Sequence, residues 1–117
     1  MNKTIIDFLN DYVEVPYSKE MMAKYYRKLP TVTLKEVVDY VMENNIAEKL
    51  IRSDFYGDGR DIQGPYLMKH VDGYESFWSE RGGKHQLAHH EDIEGALMYY
   101  LRQVLNEYGL TLSRYKI

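Results

Sequence analysis

The sequence predicts an α+β fold in which N-terminal helices and a three-stranded antiparallel meander pack on a long C-terminal helix. Apolar residues recur at helical spacing through the first half of the chain. Two glycine-containing turns divide residues 65–90 into strands, and an apolar stripe then runs from Ile93 to Tyr108. Because 117 residues is near the commonest domain size, we expect a single domain, with a helical half over about 1–55 and the meander plus helix over about 65–109.

Composition and charge exclude several functional classes. Apolar residues make up 44% of the chain and charged residues 28%, so disorder is not expected. The absence of cysteine excludes disulfides and thiolate metal sites, and no apolar run is long enough to cross a bilayer. The net charge of −3 argues against nucleic acid as the partner. Since residues 1–4 lack the features of a signal peptide, we expect a cytoplasmic location.

Tyrosine is the unusual component of this chain, with 12 copies against 3 phenylalanines and 1 tryptophan. Its ring is apolar but its hydroxyl needs a hydrogen-bond partner or water, so tyrosine suits half-exposed positions and protein–protein interfaces. The simpler interpretation is that most of these side chains lie at the boundary of the core.

Caps and apolar periodicity predict the first two helices. One covers residues 4–13, with Asn2 or Thr4 as its cap. The other runs from a cap at Ser18 through Leu29. The residues of the two apolar faces are Ile5, Phe8, Leu9 and Tyr12 in the first helix and Met22, Tyr25, Tyr26 and Leu29 in the second.

A capping box marks the start of a third helix. Thr33 and Glu36 have the spacing at which each side chain satisfies the other's backbone N–H group, and Asn44-Asn45 is predicted to end the helix. Its apolar face consists of Leu34, Val37, Val38 and Val41. The segment 46–56 fits either a short fourth helix or a strand.

Two glycine-containing turns predict the meander. Asp72-Gly73 would join strands over residues 66–71 and 74–81, because both turn residues tolerate positive φ. Gly82-Gly83 would turn the chain into a third strand over residues 84–89. Such a sheet needs a helix against one face to be stable.

The C-terminal helix is predicted to run for about four turns and to stop at Gly109. Acidic residues, which the helix dipole favours, occupy its start: Glu91, Asp92 and Glu94. Its apolar stripe consists of Ile93, Leu97, Tyr100, Leu101, Val104 and Tyr108. Gly95 inside the helix indicates close approach of another element, and the tail from Leu110 to Ile117 alternates as an edge strand would.

No catalytic, cofactor-binding or metal-binding set of residues is predicted. His85 and His89 are four residues apart in a strand, so they share a face at roughly 13 Å separation, which is too far to share a zinc ion. The acidic loop over residues 54–61 fails as a calcium loop, because Pro65 stands where a bidentate glutamate is required. Gly-x-Ser-x-Gly, P-loop and dinucleotide motifs are also missing from the sequence.

Two runs near the end of the chain are the most specific feature. They are Tyr74-Glu-Ser-Phe-Trp-Ser-Glu80-Arg81-Gly82 and, after a short strand, Glu91-Asp-Ile-Glu-Gly-Ala-Leu-Met-Tyr-Tyr100-Leu. Together they resemble small immunity proteins of bacterial polymorphic-toxin and contact-dependent growth inhibition systems. In several of those proteins a strand ending in Glu-Arg-Gly precedes a strand and an acidic-capped helix with paired aromatics. The second glycine after Gly82 departs from that pattern, and the helical first half does not take part in the resemblance.

The resemblance implies a stoichiometric inhibitor without catalysis, which binds a cognate toxin domain in the cytoplasm. The toxins of such systems are often nucleases with basic clefts, which an acidic and aromatic surface would complement. We therefore place the contact surface on the 54–66 loop and the outward face of the meander. The partner-binding candidates are Asp54, Tyr56, Asp58, Asp61, Tyr66 and Trp78, followed by Tyr74 and Glu80. The group Glu80-Arg81-Gly82 is expected to be chiefly architectural.

Other functional classes are compatible with the sequence. A small nucleic-acid-associated or regulatory module is indicated by the basic segment 19–35 with Tyr25 and Tyr26, although the net charge opposes it. A small enzyme would need His70 or His85 beside a carboxylate in a deep pocket. A tyrosine-rich surface would also suit a homodimer.

Overall fold

The computed structural model describes residues 1–16 and 18–110. Within them a helical first half precedes a three-stranded antiparallel sheet of order β1-β2-β3, and a long helix follows. The helices are α1 (Lys3–Glu14), α2 (Lys19–Tyr25), α3 (Leu34–Glu43), α4 (Ala47–Leu50) and α5 (Ile93–Glu107), and the strands are β1 (Gly64–His70), β2 (Gly73–Glu80) and β3 (Gly83–His90). The predicted α+β fold, with the meander packed on the C-terminal helix, is confirmed.

Local hydrogen bonds set the starts of α1 and α3. The Asn2 side chain accepts a hydrogen bond from the Thr4 amide at 2.8 Å. Thr33 Oγ1 accepts one from the Glu36 amide at 3.1 Å, and Glu36 Oε1 accepts one from the Thr33 amide at 3.4 Å. Both arms of the predicted capping box are therefore present, and the predicted apolar faces of both helices are buried.

The second helix is shorter than predicted. It ends at Tyr25, and Arg27 then adopts a left-handed conformation with φ of 59°. There the Arg27 amide donates a hydrogen bond to the Tyr108 carbonyl at 2.8 Å, which attaches the end of α2 to the end of α5. The prediction that Tyr26 lies on the buried face is wrong, because the chain leaves the helix at this point. Tyr26 is 44% exposed, and Met21 is buried instead.

Both hairpin turns begin one residue earlier than predicted. Val71-Asp72 forms the first turn, and Gly73, with φ of 146°, opens β2 where an added Cβ atom would meet the His90 carbonyl oxygen. Arg81-Gly82 forms the second turn with φ values of 51° and 76°, as in a two-residue type I′ hairpin. Positive φ therefore falls on both residues of the second turn, but in the first hairpin it falls on the glycine that follows the turn.

The two faces of the sheet have different covers. Leu67 of β1 pairs with Ser76 of β2, and both are buried on the face that packs against α5 and the helical core. The opposite face is covered near β1 by the segment that follows α4. There Phe55 packs edge-on against Tyr66 and Phe77, with ring centroids 5.6 Å and 5.1 Å apart. Since Phe77 is fully buried, this part of the meander has no free outward face.

A β-bulge changes the alternation of β3. The register against β2 shifts at Gln86, which has φ of 53°. As a result His85 pairs with Trp78 on the face toward α5, whereas His89 pairs with Glu75 on the other face. The prediction that the two histidines share a face is wrong, because the extra residue reverses the alternation.

The segment 46–56 contains both of the predicted alternatives. Helix α4 occupies its first part. Arg52 then forms a single parallel bridge with Met68, and its amide donates a hydrogen bond to the Leu67 carbonyl at 2.8 Å. This bridge covers part of the free edge of β1.

The atom nearest to a Cβ added at Gly95 would be Oδ1 of Asp92, the N-cap of the same helix, at 3.3 Å. The sheet contributes Nδ1 of His90 at 3.8 Å, an ordinary contact, so β3 does not require a glycine here. The predicted edge strand falls mostly on residues 111–117, which lie outside the described residues. No helix in the described part of the chain combines the length and apolar character needed to cross a membrane.

Candidate functional site

A cavity of about 450 Å³ opens between the end of α1, helix α4 and the segment before β1. We call it the tyrosine cavity, because the buried rings of Tyr12, Tyr66 and Tyr100 form its floor. Arg52 lines it beside them. The exposed residues that line it include Asp54, Tyr56 and Arg60, together with Glu14, Lys49 and Ser53.

The floor of the tyrosine cavity presents hydrogen-bonding groups and a cation. Burial raises the pKa of the Tyr100 hydroxyl to about 12, against the opposing effects of a hydrogen bond with Tyr12 and the charge of Arg52. The Arg52 guanidinium lies 5.1 Å from the centroid of the Tyr66 ring. The Tyr100 hydroxyl is therefore neutral at physiological pH and acts as a hydrogen-bonding group.

Asp61 organises the loop at the mouth of the cavity. Its Oδ1 atom accepts a hydrogen bond from the Tyr56 amide at 2.7 Å, and its Oδ2 atom accepts bonds from the amides of Gly57 and Asp58 at 2.8 and 3.1 Å. One carboxylate thus binds three consecutive backbone N–H groups. Such charge-assisted bonds restrain the loop despite its glycine content.

Tyr56 and Arg60 form an exposed stack on this loop. The guanidinium of Arg60 lies 4.0 Å from the centroid of the Tyr56 ring. Asp58 holds that guanidinium from the side, with Nε 3.1 Å from both carboxylate oxygens and Nη2 2.8 Å from Oδ2. Hydrogen bonds from the Arg60 side chain and backbone lower the pKa of the Asp58 carboxyl. The structure therefore presents to solvent a ring that is 51% exposed and held in place.

The loop rests on the turn between β2 and β3. A Cβ atom added to Gly82 would lie 2.8 Å from the Gly57 carbonyl oxygen, so only glycine permits this approach. On the other side Phe55 packs against the rings of Tyr66 and Phe77. Gly82 therefore serves the architecture of the site.

Five of the predicted partner-binding residues lie together. Asp54, Tyr56, Asp61 and Tyr66 line the tyrosine cavity, and Asp58 lies on the loop at its mouth. The prediction that Tyr66 is an exposed contact residue is wrong, because Tyr66 is only 3% exposed. Its hydroxyl accepts a hydrogen bond from the Ile62 amide at 3.0 Å. Its ring belongs to the cluster beneath the loop, so it does not serve as an exposed anchor.

Trp78, Tyr74 and Glu80 lie elsewhere in the fold. All three project from β2 toward α5, so their predicted place on the outward face is wrong. Alternation along β2 instead places Phe77 on the outward face, where Phe55 covers it. Tyr74 packs against the core and is half-buried.

Trp78 and Glu80 line a second concavity of about 510 Å³, between the β2–β3 hairpin and the end of α5. We call it the Trp78 groove. It is lined by Trp78, Glu80, His85, Gln86, Gln103, Asn106 and Glu107. The single contact surface predicted from the sequence is therefore divided between two sites.

The predicted acidic edge of the loop is largely neutralised. Asp58 is paired with Arg60, and Asp61 is occupied by backbone amides. Asp54 remains exposed, with the Ser53 hydroxyl donating a hydrogen bond to it at 3.3 Å. Charge reversal at Asp61 would disrupt the loop itself, so it does not isolate an electrostatic contribution to binding.

The residues of the tyrosine cavity that reasoning from the sequence misses include Tyr12, Arg52, Arg60 and Tyr100. Helical periodicity identifies the two tyrosines as core positions but does not show that their hydroxyls meet. The Asp58–Arg60 spacing is a usable signal, since aspartate accepts a hydrogen bond from the amide two residues on, as it does here at 2.9 Å. No signal in the sequence identifies Arg52.

The histidines do not assemble a catalytic group in the tyrosine cavity. His70 Nε2 lies 3.0 Å from Glu75 Oε2, but this pair is at the surface, and the His70 side chain is 41% exposed. His85 Nε2 lies 3.3 Å from the Glu80 carbonyl oxygen. Among residues 1–16 and 18–110, no group of three or more His, Asp or Glu side chains is arranged to hold a metal ion.

Glu107 in the Trp78 groove makes stability depend on pH. Burial raises its pKa from 4.5 to about 7. Since the folded protein holds this proton to a higher pH than the unfolded chain, the contribution to stability is complete below about pH 4.5 and is lost as the pH rises through about 7. We expect Glu107→Gln to raise the free energy of unfolding by about 1 kcal/mol at about pH 8, after allowance for solvent screening. Near pH 4 the two proteins should be equally stable.

Thermal unfolding of both proteins at the two pH values measures this difference. An advantage of the glutamine variant that is the same at both values would contradict the pKa of Glu107.

Comparison with known proteins adds no relative: no protein family, no curated protein and no solved structure matches this chain.

Proposed function

We propose that this protein is an immunity protein, which binds one cognate bacterial toxin domain and covers its active site or an adjacent surface without catalysis of its own. Two features support the proposal: the resemblance of residues 74–101 to such proteins and the geometry of the tyrosine cavity. The observation that carries it is the restrained Tyr56–Arg60 stack at the cavity mouth.

Tyrosine and arginine are among the residues that contribute most to protein–protein affinity. Their contribution is largest when little conformational freedom is lost on binding. Here Asp58 and Asp61 already hold the loop and the Arg60 guanidinium. The Tyr56 ring therefore offers a large and nearly rigid contact surface.

The cavity beside the stack gives the partner a place to anchor. Its volume of about 450 Å³ admits a large side chain, and the tyrosine rings and Arg52 give it an aromatic and cationic lining. The net charge of −3 favours encounter with a basic toxin domain, such as a nuclease.

A nucleic-acid-associated module is the second candidate, favoured by one exposed feature of the basic segment 19–35. The Arg27 guanidinium lies 5.4 Å from the centroid of the exposed Tyr26 ring. However, Lys24 and Lys35 in the same segment are paired with aspartates at 3.0 Å. Retention on immobilised DNA or RNA that falls steeply with salt would favour this candidate.

The proposal predicts that a neighbouring gene encodes a large secreted protein with a toxin domain at its C-terminus, and the test uses that domain. Bacteria that produce this domain should stop growing, and co-production of the present chain should restore growth. The two proteins should also elute as a one-to-one complex in size-exclusion chromatography with light scattering. A toxin domain from a different system is the control and should neither bind nor be neutralised. Growth arrest despite equal amounts of both proteins would contradict the proposal.

A further inference from the structure

The Trp78 groove is a site of its own. Among the described residues none lines both this groove and the tyrosine cavity. The groove lies beneath the β2–β3 hairpin and is closed on its other side by Gln103, Asn106 and Glu107 of α5. The groove is therefore separate from the proposed toxin-binding surface.

Two hydrogen-bond acceptors in the groove lack donors among residues 1–16 and 18–110. Oε1 of Gln103 and Oε2 of Glu107 are buried and accept no hydrogen bond from the described residues. Gln103 Nε2 donates to Gln86 Oε1 at 3.2 Å, an arrangement that leaves the Gln103 oxygen as the unsatisfied end of the amide. Buried acceptors are stabilised when a donor reaches them, so the groove favours a ligand that brings N–H groups.

Above neutral pH the side-chain charges that line the groove are negative. Glu80 and Glu107 line it, and none of the described residues that line it is a lysine or an arginine. Trp78 contributes an indole ring, the aromatic group that attracts cations most strongly. A cation that donates hydrogen bonds and can stack on a ring therefore complements the groove.

A guanidinium group has these properties. It is planar, permanently charged, donates five N–H groups, pairs with carboxylates through two parallel hydrogen bonds and stacks on aromatic rings. We propose that the Trp78 groove binds the guanidinium group of an arginine side chain carried by another polypeptide, with Glu107 as the paired carboxylate and Trp78 as the stacking surface.

The experiment uses the full chain and N-acetyl-L-arginine amide as the probe. Trp78 is the only tryptophan in the sequence, so its fluorescence reports on the groove directly. The titration is run at about pH 8.5, where the Glu107 carboxyl is ionised. N-acetyl-L-citrulline amide, a neutral molecule of nearly the same shape, is the matched ligand control.

We expect a saturable change in Trp78 emission with the arginine derivative and none with the citrulline derivative. Glu107→Gln should weaken binding of the probe by about tenfold or more, because a charge-assisted hydrogen bond is lost. Glu94→Gln removes the same charge from an exposed position at the other end of α5 and should leave the affinity unchanged.

Two outcomes would overturn the proposal. One is equal binding of the arginine and citrulline derivatives, or equal affinity of Glu107→Gln and the unchanged protein. The other is that titration with the arginine derivative changes neither the Trp78 emission nor the NMR signal of the Gln103 side-chain amide. Neither outcome bears on the toxin-binding experiment, which concerns the tyrosine cavity.

Discussion

Replacing Phe77 with alanine is expected to lower the free energy of unfolding by about 3–4 kcal/mol. Its ring is fully buried on the outward face of the sheet, 5.1 Å from the Phe55 centroid and 5.2 Å from the Tyr66 centroid. Removing it leaves a cavity beneath the loop over residues 54–61. Because Phe55 holds that loop on the sheet, we also expect the Tyr56–Arg60 stack to lose its fixed position.

Chemical denaturation measures the change in stability, and hydrogen exchange measures the order of the loop. The informative amides are those of Tyr56, Gly57 and Asp58, which donate to Asp61 and should exchange faster in the variant.

Leu87→Ala is the matched control for the Phe77 variant. Ala88 pairs with Ser76 on the face toward α5, so its neighbour Leu87 lies on the outward face, as Phe77 does. Leu87 is 56% exposed, so its truncation should change stability by no more than about 0.5 kcal/mol. A loss below about 1 kcal/mol in Phe77→Ala, or unchanged exchange of the three amides, would show that the loop does not depend on this ring.

Helix starts can be predicted from this sequence because the groups involved are close along the chain. Asn2 caps through an amide two residues on, and the Thr33–Glu36 box closes within one turn. Helix ends are less local. α2 stops at Tyr25 because Arg27 hydrogen-bonds to Tyr108, more than half the chain away. The apolar periodicity of α2 does not reveal the contact between Arg27 and Tyr108.

The faces of the sheet illustrate a second limit. Alternation correctly separates Trp78 from Phe77, but both faces of β2 carry aromatic rings, so the pattern does not tell which face meets α5. The assignment depends on Phe55, which reaches across the outward face from a segment predicted only as a loop. The bulge at Gln86 adds a change of phase that no glycine or proline marks.

The candidate site could be predicted only in part, because its composition is local but its supporting contacts are not. The composition of residues 54–61 predicts an exposed loop with acidic and aromatic residues. It does not predict that Asp61 turns inward to bind three amides, or that Gly82 supports Gly57 from a different hairpin. These contacts convert a loop of two glycines and three aspartates into a restrained surface, and they depend on the completed sheet.

We propose the Tyr56–Arg60 stack as the main contact with the toxin domain. The chain offers a matched control for it, because Tyr26 is exposed to a similar degree, 44% against 51%, and also lies beside an arginine. Tyr26 lies at the end of α2, outside the loop, and does not line the tyrosine cavity. Both rings are exposed, so their removal should leave the fold intact.

The most direct measurement is therefore the affinity of Tyr56→Ala and Tyr26→Ala for the purified toxin domain, by isothermal titration calorimetry. We expect Tyr56→Ala to weaken binding by about 30-fold, equivalent to about 2 kcal/mol, and Tyr26→Ala to change the affinity by no more than about twofold. If Tyr56→Ala binds as tightly as the unchanged protein, or if Tyr26→Ala is the weaker of the two, the toxin domain does not bind at the mouth of the tyrosine cavity.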